Sequence, residues 1–160
     1  SRSGLVTVTG GKWTTYRAMA EDVLEKCGEK HLLPNHAKGV TTNLQLVGSE
    51  DLPGNQQSIS APPGLHSYGN EQGVVLAMPG AQAELAPGLT EAMVRFGARY
   101  EYARTVEDVL ARRSRMLFLD ARLAKAVAQR AGDILFQETG SDPQVAAFSS
   151  LADAYLRLPE

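Results

Sequence analysis

The residues best suited to chemistry are Gly10, Gly11 and Lys12, which stand between a short apolar run and a helical pattern. Two consecutive glycines let a backbone approach a flat or anionic ligand closely. A helix start presents free N–H groups and the positive end of the helix dipole. Lys12 adds a full positive charge at the same point. The segment is therefore a candidate site for an anion, or for negative charge that develops during a reaction.

The same segment does not form a phosphate-binding P-loop. That motif requires glycine five residues before Gly11, where Val6 stands, and serine or threonine after the lysine, where Trp13 stands. The pattern G-x-G-x-x-G occurs nowhere, so the pyrophosphate of a bound dinucleotide would need residues outside this sequence. A plain strand-to-helix turn with a solvated Lys12 is the competing interpretation, because glycine pairs are common in turns.

The residues around the glycines predict a strand and a helix. Residues 5–9 are rich in β-branched side chains, which favours a strand. After the glycines, apolar residues recur with the i, i+3, i+4 spacing of an amphipathic helix, at Tyr16, Met19, Ala20, Val23, Leu24 and Cys27. Cys27 on this face is expected to be a buried, unreactive thiol, and Gly28 is expected to end the helix as its C′ residue.

Residues 29–64 predict a long connection between two units. Prolines and glycines interrupt this stretch, and a strand-like run is embedded in it at residues 40–47. Residues 55–60 have no periodicity, and we expect them to be mobile. A connection of this length is unusual inside one compact domain.

From residue 65 onward the pattern predicts a small helical domain of about five helices, which makes the fold mainly α. The predicted helices cover residues 68–78, a segment capped by Thr90, a segment opened by a capping box of Thr105 and Asp108, residues 120–139 ended by Gly140, and a last helix that starts at Asp142-Pro143.

Composition excludes several classes of function. The net charge is −2, from 16 Lys and Arg against 18 Asp and Glu, so nucleic-acid binding through bulk charge is not expected. A single cysteine rules out both a disulfide framework and a multi-cysteine zinc site. His31, His36 and His66 lack the spacing of metal ligands, and no metal site is predicted.

One basic cluster stands out in the second half of the sequence. Arg112, Arg113 and Arg115 lie close together, with Arg104 and Arg122 nearby. Neighbouring acidic residues make an ion-paired helix face the first interpretation. Contact with anionic lipid or with another subunit is the alternative.

Two blocks of this sequence resemble the FAD-dependent glycerol-3-phosphate dehydrogenases. Residues 3–17, SGLVTVTGGKWTTYR, are similar to the last strand, turn and helix of the flavin domain in that family. Residues 102–113, YARTVEDVLARR, followed by FLDA at 118–121, are similar to its helical C-terminal domain. Both blocks stand in the family's order, and they anchor the chain from residue 3 to about residue 121.

The resemblance implies a domain organisation and a site. Residues 1–28 would end an FAD-binding domain, residues 29–64 would be a linker, and residues 65–160 would form the helical C-terminal domain. The family oxidises sn-glycerol 3-phosphate to dihydroxyacetone phosphate and passes electrons through FAD to a quinone. Gly10, Gly11, Lys12, Trp13 and Thr14 would bind the cofactor, with the backbone of Trp13 and Thr14 against the pyrimidine edge of the flavin. Lys12 would also lie near the substrate, in a catalytic role.

The resemblance also implies partners and a location. The chain would be a C-terminal fragment, inactive alone, whose upstream FAD domain completes the enzyme. The expected location is cytoplasmic, peripheral on the inner face of the cytoplasmic membrane, and a homodimer is left open. Two alternatives remain: a non-catalytic helical domain that binds another protein, and a glycerophosphate oxidase that uses oxygen in place of quinone.

Overall fold

The structure is a computed structural model that describes residues 4–34, 39–49 and 62–157. Within these ranges the chain is mainly α-helical, as the sequence predicted, with one two-stranded hairpin. It divides into two compact units, with the boundary between Leu46 and Val47.

The first unit contains one helix and no strand among its described residues. A 3₁₀ turn, Trp13–Thr15, leads into α1, Tyr16–Glu29. The predicted strand over residues 5–9 is wrong, because a strand needs a neighbour to pair its backbone groups and the described part of this unit offers none. The predicted helix is confirmed, but its apolar face buries no residue fully.

The end of α1 lies beyond the predicted glycine. Gly28 is inside the helix, and His31 takes the left-handed C′ conformation, with a φ of 56°. The N–H of His31 donates to Gly28 O at 2.9 Å, and the N–H of Leu32 donates to Cys27 O at 2.9 Å. This pair of bonds is a Schellman motif, so the hydrogen-bond geometry displaces the C′ position by three residues.

The connecting stretch shows no strand where one was predicted. Residues 40–47 form turns and irregular backbone with exposed side chains, again because no partner strand is present in the described chain. Residues 55–60 lie outside the described residues, as does His36, so their predicted mobility stays a prediction.

The first described helical segment of the second unit is broken, where one continuous helix over residues 68–78 was predicted. A 3₁₀ segment, Leu65–Glu71, precedes α2, Gln72–Leu76. Gly69 interrupts the path with a φ of 51° and a ψ of −130°. The backbone of Gly48 occupies the space that a Cβ on Gly69 would need, so this close approach requires glycine.

A short hairpin, which the sequence analysis missed, follows α2. Strands β1, Glu84–Ala86, and β2, Leu89–Thr90, pair antiparallel with Ala86 opposite Leu89. The turn is Pro87-Gly88, and the φ of 76° at Gly88 fits a type II turn. Strands of two and three residues are too short to show alternation in the sequence.

Helix α3, Glu91–Tyr100, begins where the sequence predicted. The Thr90 hydroxyl oxygen accepts from the N–H of Met93 at 3.4 Å. Met93 and Phe96 are buried, whereas Tyr100, the last residue of the helix, is exposed. Its ring still packs 5.0 Å from that of Phe96.

The predicted capping box at Thr105 and Asp108 is confirmed, but the helix that follows is not regular. Asp108 accepts hydrogen bonds from the backbone and hydroxyl of Thr105, both at 2.9 Å. Asp108–Arg113 is π-helical, and Ser114 donates through its hydroxyl to Val109 O at 3.0 Å. A separate helix, α4, Met116–Leu119, then starts after a left-handed Arg115. The serine competes for helix carbonyls, which explains why one predicted helix becomes two.

The last two helices form the centre of the unit. Helix α5, Ala121–Thr139, is capped by Asp120 and ended by a left-handed Gly140, as predicted. Helix α6, Val145–Tyr155, begins later than the predicted Asp142-Pro143 start. The reason is a turn at residues 142–144. In this turn the Asp142 carboxylate accepts a hydrogen bond from the N–H of Gln144 at 2.9 Å, and the Pro143 carbonyl accepts one from the N–H of Val106 at 2.9 Å.

An ion cluster ties α3 to α5. Glu138 is nearly buried and accepts from Arg99 Nε at 2.7 Å and Arg95 Nη1 at 2.7 Å. The hydrogen bond from Arg99, helped by Arg95, holds the pKa of the Glu138 carboxyl below its ordinary value even though burial opposes this. The sequence could not predict that either arginine pairs with Glu138, because about 40 residues separate each arginine from the glutamate.

Close packing between α5 and α6 predicts an asymmetric effect of two glycine substitutions. A Cβ on Gly132 would overlap Val145 Cγ2 and lie 3.3 Å from Pro143 Cγ, so Gly132→Ala should lower the free energy of unfolding by about 1–3 kcal/mol. Gly73→Ala, in α2, meets no atom within 4 Å and should raise it by roughly 0.5 kcal/mol. Urea titration of both variants measures this, and equal effects would contradict the packing account.

The capping box predicts an acid-dependent contribution to stability. Burial alone raises the pKa of Asp108, but hydrogen bonds from the Arg104 and Thr105 backbone, the Thr105 hydroxyl and Arg112 outweigh it and lower the pKa to about 2. Ionised Asp108 therefore stabilises the fold fully above its ordinary pKa of 3.8, and this contribution is lost as pH falls toward 2.

Asp108→Ala should lower the free energy of unfolding by about 1–2 kcal/mol at neutral pH. The variant should also lose less stability than the wild type as the pH falls from about 4 to 2. Thermal unfolding across that range measures it. Asp133→Ala, an exposed carboxylate on α5, serves as the control and should retain the wild-type acid limb. An unchanged acid limb in the Asp108 variant would contradict the assignment.

Candidate functional site

The candidate site is the turn that leads into α1. Lys12 is extended, and its carbonyl accepts the N–H of Thr15 at 3.0 Å and the Thr15 hydroxyl at 3.1 Å. Among the described residues no side chain caps this start, and its first turn holds no acidic residue. The N–H groups of Trp13 and Thr14 and the positive end of the helix are therefore left for another group.

The two glycines give the turn its shape. Gly10 and Gly11 have φ values of 75° and 123°, which side chains rarely adopt. A Cβ on Gly11 would overlap the Met19 thioether, so α1 comes directly against the glycine backbone. Both positions thus require glycine for conformation, and at Gly11 an added Cβ would also displace the end of the Met19 side chain.

An apolar cleft of about 570 Å³ opens beside this turn. Its lining includes the backbone of the glycines and the apolar face of α1, with Trp13, Tyr16, Met19, Val23 and Leu24. The Trp13 side chain is 89% exposed, and its ring lies 6.0 Å from that of Tyr16. A flat ligand with one polar edge could lie on the apolar face and direct that edge to the helix start.

Lys12 is exposed beside the cleft and makes no ion pair with another described residue. The structure therefore leaves its charge available to a ligand. All five predicted cofactor residues form this one turn, and their role in binding remains a prediction.

The remaining candidate residues lie away from this turn or in ordinary environments. Cys27 is a free thiol that is half-buried on α1, less enclosed than expected. His31 is exposed at the end of α1, and His66 is half-buried in the second unit. Within the described ranges no group of His, Cys, Asp and Glu is arranged to hold a metal ion.

The basic cluster is resolved into paired and unpaired members. Arg112 pairs with Glu107 at 2.7 Å and with Asp108 at 2.6 Å, and Arg113 pairs with Glu101 at 2.9 Å. Arg104 donates to Ala98 O and stacks 4.1 Å from the centre of the Tyr102 ring, whereas Arg115 and Arg122 pair with no carboxylate among the described residues.

The sequence analysis missed a second cavity, of about 320 Å³, in the second unit. Tyr68, Glu101 and Arg113 line it together. Burial, reinforced by the charge of Glu101 and opposed by Arg113, raises the pKa of Tyr68 to about 12, so this phenol stays neutral at physiological pH. No sequence signal connects residues so far apart in the chain.

No helix in the described part of the chain is both long and apolar enough to cross a membrane.

Comparison with known proteins gives a consistent family. A family model described as the C-terminal domain of alpha-glycerophosphate oxidase matches residues 39–146. A probable mitochondrial glycerol-3-phosphate dehydrogenase of Dictyostelium discoideum is 38% identical over 135 residues, covering 75% of this chain and 21% of that protein. The mitochondrial glycerol-3-phosphate dehydrogenase SDP6 of Arabidopsis thaliana is 35% identical over 164 residues, which cover 84% of this chain and 26% of that protein. The human mitochondrial glycerol-3-phosphate dehydrogenase is 32% identical over 162 residues, which cover 89% of this chain and 22% of that protein.

These relatives correct one expectation. The predicted cytoplasmic location, at the inner face of the cytoplasmic membrane, is wrong because the relatives are named as mitochondrial proteins. The chain spans only 21–26% of the length of these relatives. No solved structure matches it. The match over residues 39–146 covers more than half of the chain, which therefore belongs to the family of alpha-glycerophosphate oxidase C-terminal domains and is related to the glycerol-3-phosphate dehydrogenases.

Proposed function

We propose that this chain is the C-terminal part of an FAD-dependent enzyme that oxidises sn-glycerol 3-phosphate to dihydroxyacetone phosphate and passes the electrons to a quinone. The observation that carries the proposal is the uncapped helix start at Lys12 to Thr15, beside an open apolar cleft. It occurs in a chain whose relatives are named glycerol-3-phosphate dehydrogenases.

The residues of this turn fit the pyrimidine edge of a flavin. The N–H groups of Trp13 and Thr14 are donors suited to the acceptor atoms of that edge. Gly11 has no side chain to block close approach, and Lys12 brings a positive charge. When bound, FAD would supply the two-electron acceptor for oxidation of the secondary alcohol to a ketone.

Two roles for Lys12 follow from its place at the helix start. Its charge adds to the helix dipole, and together they favour negative charge at the polar edge of a bound ring. Its long side chain could instead reach the phosphate of the substrate and hold it by an ion pair. The first role acts on the chemistry of the ring, and the second acts on substrate affinity.

The domain organisation proposed for the complete enzyme follows the sequence analysis. Residues 1–28 would end the FAD-binding domain, and residues 65–160 would form the helical domain. Residues 29–64 would be the linker between them. The upstream FAD domain is the required partner, and the chain alone would be inactive. Peripheral membrane contact would bring the enzyme to its quinone, and a homodimer is compatible with this arrangement.

An oxygen-using oxidase is the second candidate, and the description of the family model as a glycerophosphate oxidase domain favours it. The two candidates differ only in the acceptor that takes electrons from the reduced enzyme. Reoxidation of the complete reduced enzyme by oxygen and by a soluble quinone separates them. A much faster reaction with quinone supports the dehydrogenase, and the reverse supports the oxidase.

Lys12→Met in the complete enzyme tests the site directly. A positive charge close to the flavin or the substrate is worth on the order of 1–3 kcal/mol. Its loss should therefore slow flavin reduction or weaken substrate binding roughly tenfold or more, while FAD stays bound. A lower flavin reduction potential with slower reduction indicates the first role of Lys12. Weaker substrate binding with an unchanged potential indicates the second. Stopped-flow reduction and potentiometry provide both readouts.

Lys30→Met is the matched control, because Lys30 is an exposed lysine at the opposite end of the same helix. It should change neither the potential nor the affinity. If Lys12→Met also leaves both unchanged, Lys12 is a solvated turn residue and the proposed site is wrong.

Gly11→Ala should reduce retention of FAD by the complete enzyme. The new Cβ would displace Met19 from the turn and strain a φ of 123°, so we expect at least about tenfold weaker binding. Gly28→Ala, which meets no atom within 4 Å, should keep the wild-type flavin content. The flavin absorbance of the purified variants measures this, and equal retention would count against the turn as a flavin contact.

A further inference from the structure

The cavity of about 320 Å³ in the second unit shares no residue with the proposed flavin site. Its described lining residues all belong to the unit that begins at Val47. Its volume is at the lower end of the range of small-molecule pockets, about 300–1,000 Å³. Three lining positions are glycines, Gly48, Gly64 and Gly88, so no side chain fills the space from these positions. We call this space the Tyr68 cavity.

Arg113 is held in place at the Tyr68 cavity and keeps donors free. Its Nε donates to Glu101 Oε2 at 2.9 Å, its Nη1 donates to the Asp108 carbonyl at 3.2 Å, and its Nη2 donates to the Glu101 carbonyl. A guanidinium has five N–H groups, so these three bonds leave two of them without a partner among the described residues. Because the side chain is already fixed, the two remaining donors can bind a carboxylate with little further loss of entropy.

The Tyr68 hydroxyl is a further free donor in the cavity. Its ring packs edge-to-face on the buried Phe96, with the ring centres 5.1 Å apart, so the position of the phenol is fixed. The hydroxyl makes no hydrogen bond with a described residue. Because burial raises the pKa of Tyr68 to about 12, the phenol keeps its proton and can donate it in a hydrogen bond.

Glu71 supplies the opposite kind of group. Its Oε2 atom lies 3.7 Å from the position that a Cβ on Gly48 would occupy, so the carboxylate is close to this wall of the cavity. Glu71 is half-buried and pairs with no cation in the described part of the chain. Glu101, by contrast, is already bound to Arg113 at 2.9 Å. Glu71 is therefore left to bind a positively charged group.

Apolar side chains complete the lining. Leu89, Met93 and Val109 belong to the buried core and also line the cavity. Val47 lines it as well, although its side chain is 83% exposed. A hydrocarbon group that covers Val47 would remove apolar surface from water. The cavity thus combines donors for a carboxylate, an acceptor for an ammonium group and an apolar wall.

We propose that the Tyr68 cavity binds a free α-amino acid with an apolar side chain. Arg113 and Tyr68 bind the carboxylate of the ligand, Glu71 binds its ammonium group, and its hydrocarbon side chain packs on the apolar lining. Such a ligand satisfies with charge-assisted hydrogen bonds the polar groups that the fold leaves unpaired. An amine without a carboxylate, or an acid without an amine, leaves part of this set without a partner.

The proposal is independent of the proposed function. No residue of the turn at residues 10–14 lines the Tyr68 cavity, and binding of an amino acid requires neither FAD nor catalysis. The proposal therefore stands or fails on a binding measurement with the 160-residue chain, whatever reaction the complete enzyme performs.

NMR titration of the ¹⁵N-labelled 160-residue chain with L-leucine tests the proposal. We expect saturable shifts at the amides of Tyr68, Glu71 and Leu89, with a dissociation constant of about 1 mM or below. N-acetyl-L-leucine has no ammonium charge and L-leucinol has no carboxylate, so each should bind at least about tenfold more weakly. Equal binding of the three compounds would overturn the proposal. So would the absence of saturable shifts with L-leucine and with the smaller L-valine up to about 10 mM.

Substitutions assign the binding to the cavity. Glu71→Gln should weaken L-leucine binding at least about tenfold, because the ammonium group loses its counter-charge. Tyr68→Phe removes only the hydroxyl and keeps the ring on Phe96, so it should weaken binding roughly three- to tenfold. Asp133→Asn and Tyr102→Phe are the matched controls, because they change the same kinds of group at exposed positions outside the cavity, and both should keep the wild-type affinity.

The spectrum of each variant shows whether its fold is intact. A folded Glu71→Gln variant that binds L-leucine as tightly as the wild type would overturn the proposal, as would an equal loss in Glu71→Gln and Asp133→Asn. If either cavity variant loses the native spectrum, the comparison of L-leucine with N-acetyl-L-leucine and L-leucinol on the wild-type chain decides the question.

Discussion

The packing of one helix against its neighbours determines the architecture of the second unit. Helix α5 buries a face of small residues, Ala124, Ala128, Ala131 and Gly132, before the larger Ile134 and Leu135. Small side chains let neighbouring backbones come close, and at Gly132 the approach of α6 leaves no room for a methyl group. Helices α3, α4 and α6 are all arranged around this face, so its alanines and glycine set the distances on which the core depends.

The first unit has the opposite character. Helix α1 carries a regular apolar stripe but buries no residue fully. Helices gain most of their stability from packing an apolar face, so an uncovered stripe next to an uncapped helix start is an incomplete arrangement. In the enzyme that we propose, the flavin and the upstream domain would complete it. The turn at Gly10 to Thr14 would then act through backbone donors and one lysine charge, with no need for an acid or base of its own.

The sequence predicted the elements whose signals are local. The Thr90 cap, the Thr105 and Asp108 box and the Gly140 end depend on residues three or four apart, and the structure contains each of them. Strands at 5–9 and 40–47 were predicted from β-branched composition, which cannot show whether a pairing partner exists.

Non-local interactions could not be predicted for the same reason. The break at Ser114 depends on a hydroxyl that competes for helix carbonyls, and the shared Glu138 depends on packing of α3 against α5. At the candidate site, the sequence placed Gly11 and Lys12 at a helix start, and the structure adds the apolar cleft and the contact with Met19. Residue type identified the turn, whereas the space beside it required the three-dimensional arrangement.

The most direct measurement is an experimental structure of the complete enzyme with FAD bound. The proposed function predicts that the backbone nitrogens of Trp13 and Thr14 lie within hydrogen-bond distance, about 2.7–3.2 Å, of acceptor atoms on the pyrimidine edge of the flavin. It also predicts the Lys12 ammonium on the same side of the ring. A flavin whose pyrimidine edge is held by other residues, with the Gly10 to Thr14 turn facing solvent, would contradict it.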